Sequence, residues 1–527
     1  MYRIDVNTTK ADIPAMEKRV NEFMQRGIRI GNLNEMHKHY LNLREQLKDD
    51  IVQKYGIANP NSSQQIVAYL KDLASRVEMS ANNDIINICM DAETGKWTSN
   101  ANAMESLADL GYDIGTDILE YRLYKKYAES ISELLSFADG NNLIHPFVTL
   151  TKTNRISYAR PAIMNIPKKL LWSMIAPYNS SDVLYSVDIK NQEPSILINS
   201  LGDDDLAKVL ESDKGLYEEL FERVFTPTVE LNMVVDFLPE NRVYSIQELR
   251  NIPFVEPAKY LPKRAECKSI YFNNERIIAI ETLCHGYTGG EIKLPETVVI
   301  QTDKNELYNV PVKWNTDIKP KKGKDFTITG TLQGIEFRLS KAERKEFKVA
   351  WNALSYGASS FGIEKMCKII DGKKVYKYFN NLDSFKRYKK QIDNIVKTGG
   401  NTVNTLFGNY VSAGIGKEDV KALKRALLDL PIQGTGADIL SCLIKHFEEE
   451  IVKRGLEKDM FIYYTRHDEL IIEVSKDIIS RIGDNGVTET LRDILEHQIV
   501  YKGKDWEPFK VEIGQVVASD GIVEEEF

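Results

Sequence analysis

The feature that most constrains the fold is a predicted hairpin at residues 461–474, FIYYTRHDELIIEV. Two β-prone runs, FIYYT and LIIEV, flank the charged residues Arg466, His467, Asp468 and Glu469. Runs rich in Ile, Tyr, Phe and Val that are separated by a short polar break are typical of hairpins. Most charged hairpin tips are solvated turns. The alternative is a carboxylate held beside a buried surface to bind a metal ion, and the hairpin alone does not decide between the two.

A second acidic residue, Asp188, lies at the end of the apolar run VLYSVDI, which predicts a buried central strand. An ionised carboxylate in such a place is costly unless it is paired or binds a metal. Asp188 and Asp468 on two strands would form a like-charge pair, which divalent cations between them would make tolerable. Because Mg²⁺ often takes only one or two protein carboxylates together with substrate phosphates, two aspartates would be enough.

A stripe of polar residues is predicted on a helix that starts near Lys341. Arg344, Lys348, Asn352 and Tyr356 recur every four residues and therefore share one slowly drifting face. Cations aimed at one place suit a polyphosphate ligand. The alternative is an ordinary solvated face of an amphipathic helix.

Composition excludes several classes of protein. The chain has 527 residues, of which 43% are hydrophobic, so sizeable cores are expected. It has no apolar run of about 18 residues and no apolar stretch at the N-terminus, so neither a membrane partner nor a secretory signal is predicted. The five cysteines form no C-x-x-C pair, which favours a reducing cytoplasm over a zinc site or disulfides. The net charge of -8 argues mildly against nucleic-acid binding, although basic segments such as 385–390 offset it locally.

Hydrophobic periodicity predicts a mixed chain. Helices are expected over 13–80 and 103–137, and again from residue 341. Between them, residues 227–338 contain short strands separated by Pro, Gly, Asn and Asp, which predicts a small β-rich module.

Five sequence motifs, taken in order, resemble those of family A DNA polymerases, the group of bacterial DNA polymerase I and many phage replicases. DIKNQE resembles that family's D-Y-S-Q-I-E, and Arg344, Lys348, Tyr356 and Gly357 match R-x3-K-x7-Y-G. The other three are TNRISYARPAIMNIP (153–167), LPIQGTGADIL (430–440) and RHDELIIEV. The compact form resembles a phage or plasmid enzyme more than a bacterial repair enzyme.

The resemblance implies an α+β right-hand polymerase fold, with an antiparallel-sheet palm, helical fingers and a helical thumb. The implied domains are 1–135 (N-terminal palm edge and thumb), 136–226 (palm with the first metal motif), 227–338 (inserted β-rich module), 339–424 (fingers) and 425–527 (palm with the H-D-E hairpin). The family's proofreading module would precede the thumb, so this chain is expected to lack 3′→5′ exonuclease activity. A monomer in the cytoplasm, acting on primed template DNA and dNTPs, is expected, and 227–338 is a candidate contact for a replisome or processivity partner.

The resemblance also implies roles for individual residues. Two Mg²⁺ ions, with Mn²⁺ as a substitute, would be held by Asp188, Asp468 and the carbonyl of Ile189. The implied catalytic residues are Asp188, Asp468, Lys348 and Glu469. The implied dNTP-binding residues are Arg344, Lys348, Tyr356, Asn352 and Glu193, the last as a gate against the ribose 2′-OH. The implied DNA-binding residues are Arg155, Asn165, Arg425, Gln433 and His467.

One departure from the family pattern concerns the nucleotide site. Asn352 stands where the family usually has an aromatic residue that packs on the incoming sugar, and Trp351 stands beside it. Either the aromatic contact is lost, or the helix turns slightly to use Trp351.

Three alternative functions stay open. A single-subunit RNA polymerase shares the palm and both aspartates, but typically lacks the gate Glu and has H-D-S in place of H-D-E. A non-catalytic DNA-binding relative is disfavoured because Asp188, Asp468, Arg344, Lys348 and Tyr356 are all present. A metal-dependent nuclease would explain the paired carboxylates but not the stripe of cations.

Overall fold

The computed structural model divides the chain into two units. Unit 1 comprises Met1–Gln192, Gly434–Gly503 and Pro508–Phe527, and unit 2 comprises Glu193–Gln433 and Lys504–Glu507. The structure describes residues 2–516 apart from 78–84, 91–94, 211, 213, 236–256, 265–268, 288–293, 316–325, 368, 416–418 and 507–508. The predicted division into five domains is finer than these units, and its boundaries remain predictions.

The helices follow the predicted pattern closely. They are α1 Ile13–Arg26, α2 Leu33–Tyr55, α3 Ser63–Arg76, α4 Ala101–Asp109, α5 Asp113–Phe137, α6 Lys168–Met174, α7 Gln192–Leu201, α8 Asp204–Leu210, α9 Leu216–Phe225, α10 Lys341–Ser355, α11 Ser360–Met366, α12 Gly372–Asn381, α13 Asp383–Lys397, α14 Val420–Lys453 and α15 Lys476–Leu495. Local capping explains several of the boundaries. Gly56 ends α2 in the left-handed conformation, and the Ser62 side chain accepts a hydrogen bond from the Gln65 N–H at the start of α3.

The strands are mostly short. They are β1 Tyr2–Asp5, β2 Ile28–Arg29, β3 Leu143–Ile144, β4 Phe147–Leu150, β5 Ile156–Ala159, β6 Val183–Ile189, β7 Thr228–Val235, β8 Pro257–Arg264, β9 Ile270–Phe272, β10 Glu275–Tyr287, β11 Thr297–Thr302, β12 Leu307–Trp314, β13 Phe326–Leu332, β14 Glu336–Phe337, β15 Thr402–Asn404, β16 Tyr410–Ser412, β17 Met460–Arg466, β18 Glu469–Val474, β19 His497–Tyr501, β20 Lys504–Asp505 and β21 Val511–Gln515. The predicted hairpin at 461–474 is confirmed as β17 and β18.

A four-stranded antiparallel sheet with the order β17-β18-β6-β21 lies in unit 1. Every residue of β18 is buried, so both faces of this strand are covered. A shift of one residue in the pairing of β18 would turn each of its side chains to the opposite face of the sheet. Because both faces are densely packed, the packing fixes the register. In that register Glu469 on β18 and Glu512 on β21 lie opposite Asp188 on β6.

A helical core forms the other main part of unit 1. Residues of α2, α3, α4 and α5 bury one apolar cluster that includes Ile51, Leu70, Leu107 and Ile118. Together with α1, these helices account for most of the residues that were predicted to be helical before residue 137.

The predicted β-rich module in unit 2 contains β7 to β14. The strand order runs β11-β12-β13-β7-β10, and β10 also pairs with β11, so the pairings close into a ring. Ile300, Val310 and Ile328 are among the residues buried within this module. The basic run KPKKGK at 319–324 lies outside the described residues.

Helix α10 in unit 2 starts with a capping box. The Ser340 side chain accepts from the Glu343 N–H, while the Glu343 side chain accepts from the Ser340 N–H. Its apolar face, which includes Phe347 and Trp351, packs on aromatic residues of α9 and α12 such as Phe221 and Phe379. Burial of this face determines which side chains α10 leaves on its opposite, polar side.

Helix α14 carries Pro431 in its interior. Among the described residues, α14 is long and apolar enough to cross a membrane by length and composition alone, but 89% of its most apolar window is buried inside the protein. Burial of that kind is typical of a core helix.

We expect unit 1 to lose stability in mild acid through His497 at the start of β19. The side chain is fully buried against the ring of Phe509, and this burial lowers the pKa of His497 to about 4. The nearby His446 acts in the same direction, whereas a hydrogen bond with the Leu495 carbonyl opposes it. Below the ordinary pKa of about 6.5, His497 is protonated in the unfolded chain but stays neutral in the folded chain. The free energy of unfolding therefore falls from pH 6.5 towards pH 4.

The His497→Phe variant should therefore lose about 2 kcal/mol less free energy of unfolding than the wild type between pH 7 and pH 5. Urea unfolding of both proteins at the two pH values measures this difference. Equal losses in the two proteins would contradict the assignment.

Candidate active site

Asp188 lies near the end of β6, between two acidic neighbours on the flanking strands. Its carboxylate is 40% exposed, in contrast to the buried residues that precede it on the strand. Burial and, after it, the charge of Asp468 raise the pKa of Asp188, while Lys168 lowers it. The two predicted metal ligands therefore lie close enough to repel each other, as the sequence suggested. The third predicted ligand, Ile189, is buried and lies opposite Val511 on β21.

Asp468 and His467 form the two-residue turn between β17 and β18. His467 has a φ of 54°, and a left-handed residue in such a turn matches the twist of the two strands. The preceding Arg466 is buried, and its guanidinium donates to the Ile166 carbonyl at 2.9 Å. The tip is thus held by its own strands and by the segment that precedes α6. His467, predicted to contact DNA, is exposed.

Glu469 is held beside the aspartates by two donors. The Lys168 Nζ lies 2.8 Å from Glu469 Oε1 and 4.0 Å from Asp188 Oδ2. The Ser186 hydroxyl on β6 donates to the same glutamate oxygen. Since the Glu469 side chain is only 4% exposed, these contacts compensate for most of its lost hydration. Lys168 itself lies over the ring of Trp172 at 4.3 Å.

The donor set fits a divalent cation that also binds substrate oxygens. Asp188 and Asp468 supply carboxylate oxygens, which are the ligands that Mg²⁺ and Mn²⁺ prefer. Among the described residues, no group of three or more His, Cys, Asp or Glu is arranged to hold a metal ion by itself. A site of two carboxylates would therefore be completed by water and by the phosphates of a substrate.

The predicted stripe on α10 is present in unit 2, and its members have specific partners. The Nε of Arg344 donates to Glu218 on α9. The ring of Tyr217, also on α9, lies 5.6 Å from both the Arg344 guanidinium and the Lys348 ammonium group. The stripe is therefore not a plain solvated face, because α9 supplies a carboxylate and an aromatic ring to its cations.

Asn352 has taken a polar partner in place of the family's aromatic contact. The Tyr217 hydroxyl donates to Asn352 Oδ1 at 3.3 Å. Trp351 does not replace the missing aromatic residue, because it is 1% exposed and packs on Phe347 and Phe379. The helix has not turned to present Trp351, so the first of the two alternatives, loss of the contact from α10, describes the structure.

Glu193, the predicted sugar gate, is fixed by two side chains. The Tyr356 hydroxyl, just beyond the end of α10, donates to Glu193 Oε2. The Gln433 amide donates to Glu193 Oε1 at 2.8 Å and to the Tyr356 hydroxyl at 3.2 Å. Burial, together with the charge of Glu193, raises the pKa of Tyr356, so Tyr356 stays protonated and continues to donate. Three residues from three separate motifs thus form one network within unit 2.

The remaining predicted DNA contacts lie on separate elements. Arg155 precedes β5, and its guanidinium lies near Gly436 of the LPIQGTGADIL segment, where an added Cβ would come within 3.6 Å. Asn165 is exposed in a 3₁₀ turn, and Arg425 is exposed on α14 beside Gly357. Their role in DNA binding stays a prediction.

The sequence analysis missed four side chains at these sites, namely Lys168, Glu512, Tyr217 and Glu218. Lys168 directly follows the NIP of a matched motif, and this adjacency was the only signal that the sequence offered. Glu512 follows from the strand register, while Tyr217 and Glu218 approach α10 from more than a hundred residues earlier in the chain. No local pattern predicts such a contact.

Comparison with known proteins agrees with these features. The family model for DNA polymerase family A matches residues 31–234 and 327–512. DNA polymerase I of Aquifex aeolicus is 28% identical over 197 residues, which cover 35% of this chain and 31% of that protein. DNA polymerase I of Rhizobium leguminosarum is 30% identical over 138 residues, or 25% of this chain and 14% of that protein. The matches thus span less than a third of either relative's length.

The fold also matches a solved structure, described as the POL domain of Pol1 from M. smegmatis in complex with DNA primer-template and dNTP. The TM-score is 0.59 at 17% identity, over 95% of this chain and 69% of the other. The fold and the family match together define a polymerase domain. The chain belongs to DNA polymerase family A, and the predicted family and α+β polymerase fold are confirmed. The family model leaves 235–326 unmatched, within the predicted insertion.

The contact of Lys168 with the buried Glu469 predicts a measurable effect on stability. Lys168→Met should lower the free energy of unfolding by about 1 kcal/mol, because the buried carboxylate loses a charged partner that is itself partly exposed. Urea unfolding at neutral pH measures the change, and Lys169→Met is the matched control, since Lys169 is the exposed neighbour on α6. Adding Glu469→Gln to Lys168→Met should recover part of the loss. Equal effects of the two lysine variants would contradict this interpretation.

Proposed function

We propose that this chain is a template-directed DNA polymerase that adds dNTPs to a primer 3′-hydroxyl and depends on Mg²⁺. The observation that carries the proposal is the placement of Asp188, on β6, beside Asp468, in the turn that leads into the neighbouring strand β18, with the charge of Asp468 raising the pKa of Asp188. In a chain of family A, such a carboxylate pair supports a site for divalent cations. Two bound ions would supply a more nucleophilic primer hydroxyl and charge neutralisation at the triphosphate.

The residues proposed for this reaction are of two kinds. In unit 1, Asp188 and Asp468 would bind the cations, and Glu469 would support them while held by Lys168 and Ser186. In unit 2, Arg344 and Lys348 would bind the triphosphate, since phosphoryl transfer depends on positioning and charge neutralisation. Lys348 would also donate a proton to the leaving pyrophosphate.

Two features favour DNA over RNA synthesis. Glu193 is held from two sides by Tyr356 and Gln433, so its side chain has little freedom to move aside for a ribose 2′-hydroxyl. The acid that follows Asp468 is Glu469, whereas single-subunit RNA polymerases typically have Ser there. A non-catalytic relative is disfavoured because both aspartates and the α10 cations are present together.

Primer extension on a short primed template tests the proposal. With Mg²⁺, the wild type should extend the primer with dNTPs in the order that the template dictates, and far less with rNTPs. Asp468→Ala should reduce extension by on the order of 10³-fold while still folding and binding DNA. A folded, DNA-binding wild type that extends nothing would overturn the proposal, and equal use of rNTPs would favour the RNA polymerase alternative.

One finer prediction stays attached to the proposal. The segment 227–338 is a candidate contact for DNA or for a replication partner. Unchanged processivity and partner binding after its deletion would favour a purely structural role.

The network around Glu193 predicts a graded loss of sugar selectivity. Tyr356→Phe removes one charge-assisted hydrogen bond, worth roughly 1.5–3 kcal/mol, and leaves the Gln433 contact, so rNTP incorporation relative to dNTP should rise about tenfold. Glu193→Ala should raise it further. Ratios of kcat/KM for the two nucleotides measure the effect, with Tyr410→Phe as the control because Tyr410 is 76% exposed on β16. A larger rise in rNTP incorporation relative to dNTP for Tyr356→Phe than for Glu193→Ala would contradict the role of Glu193 as the gate.

A further inference from the structure

The side chain of Arg344, on α10, is held by two residues of the neighbouring helix α9. Its Nε donates to Glu218, and its guanidinium lies 5.6 Å from the ring of Tyr217. The Glu218 side chain is 28% exposed and that of Arg344 is 41% exposed, so the pair is partly shielded from water. A partly buried ion pair holds its geometry better than an exposed one, because less water competes for the same atoms.

The geometry of the pair leaves the ligand-binding edge of the guanidinium available. An arginine presents five N–H donors in a fixed fork, and binding through Nε alone uses one of them. The terminal NH1 and NH2 groups can together form a bidentate contact with phosphate. The contact of Glu218 with Nε therefore leaves this end of the fork for a phosphate.

Tyr217 places a second constraint on the Arg344 side chain. It is 1% exposed, and its hydroxyl is bound to Asn352 one turn beyond Lys348 on α10. Burial raises the pKa of Tyr217, so the hydroxyl remains a donor. With this ring immobile, the guanidinium rests against a rigid surface, while Glu218 fixes its rotation.

The start of α9 leaves room for the carboxylate of Glu218. Gly215, which caps α9, has a φ of +97°, and a Cβ there would come within 2.6 Å of Glu218 Oε2. Only glycine leaves room for the carboxylate to lie against the helix start in this way. The sequence Gly215-Leu216-Tyr217-Glu218 thus places both contacts to Arg344 in the first turn of one helix.

We propose that Glu218 is a positioning residue for the incoming nucleotide, which presets Arg344 for the triphosphate and acts through it without touching the substrate. The inference rests on the proposed function, in which Arg344 binds the triphosphate. The alternative is competition, in which Glu218 occupies Arg344 until a nucleotide displaces it. The two alternatives predict opposite effects when the Glu218 carboxylate is removed. Loss of a support weakens nucleotide binding, whereas loss of a competitor strengthens it.

Steady-state primer extension with Glu218→Ala and Glu218→Gln tests this inference. Glu218→Ala should raise the KM for dNTP about tenfold with kcat within about twofold, since supporting residues of a binding group commonly contribute 10–100-fold. Glu218→Gln keeps an oxygen that accepts from the Arg344 Nε, so its KM should stay within about threefold of the wild type. A structural defect alone would not be rescued selectively in KM.

The matched control is Glu219→Ala, because Glu219 is the neighbouring acid on α9 and pairs with a different arginine, Arg223, at 3.3 Å. It should leave KM and kcat unchanged. A lower or unaltered KM in Glu218→Ala would overturn the inference. Arg344→Ala distinguishes failure of the proposed role of Arg344 from failure of the inferred role of Glu218. If Arg344→Ala leaves the KM for dNTP unchanged, the proposed role of Arg344 is wrong. If it raises the KM while Glu218→Ala does not, only the role of Glu218 is wrong.

Discussion

The pairing of β6 with β18 is the constraint on which the candidate site depends, and it brings two like charges together. Asp188 and Asp468 reach the same place because β6 pairs with β18 in a register that the burial of every β18 residue fixes. Repulsion between the carboxylates works against this arrangement. It is opposed by the charge of Lys168, which lies 4.0 Å from Asp188 and also binds the adjacent Glu469. A stable fold without function has no need for such a cluster, and a bound cation, as proposed above, would offset its cost in folding free energy.

The same logic extends to unit 2, where polar side chains are held by partners rather than left in solvent. Glu193 is fixed by Tyr356 and Gln433, and Arg344 is fixed by Glu218 against Tyr217. Rigid polar groups bind a charged substrate with less reorganisation than mobile ones. Where α10 carries Asn352 in place of an aromatic residue, a buried tyrosine from α9, Tyr217, donates a hydrogen bond to it.

Much of this arrangement could be predicted from the sequence because it is encoded locally. The hairpin at 461–474, the strand that ends near Asp188 and the capped helix bearing Arg344 each have their own periodicity and boundary residues, and all three are confirmed as elements. The contacts of Lys168 with Glu469 and of Tyr217 with Asn352 could not be predicted, since each joins segments far apart in the chain. Trp351 illustrates the same limit, because only the aromatic neighbours on α12 show that it belongs to the core.

The central claim is that Asp188 and Asp468 act as one cation site, and anomalous diffraction tests it most directly. Crystals of the protein with a primer-template and an incoming nucleotide would be grown with Mn²⁺, whose anomalous signal locates it independently of the coordinates. The account predicts anomalous peaks in contact with the carboxylates of both aspartates, and their loss in Asp468→Ala. Mn²⁺ bound to only one of the two residues, or bound elsewhere in an active enzyme, would contradict it.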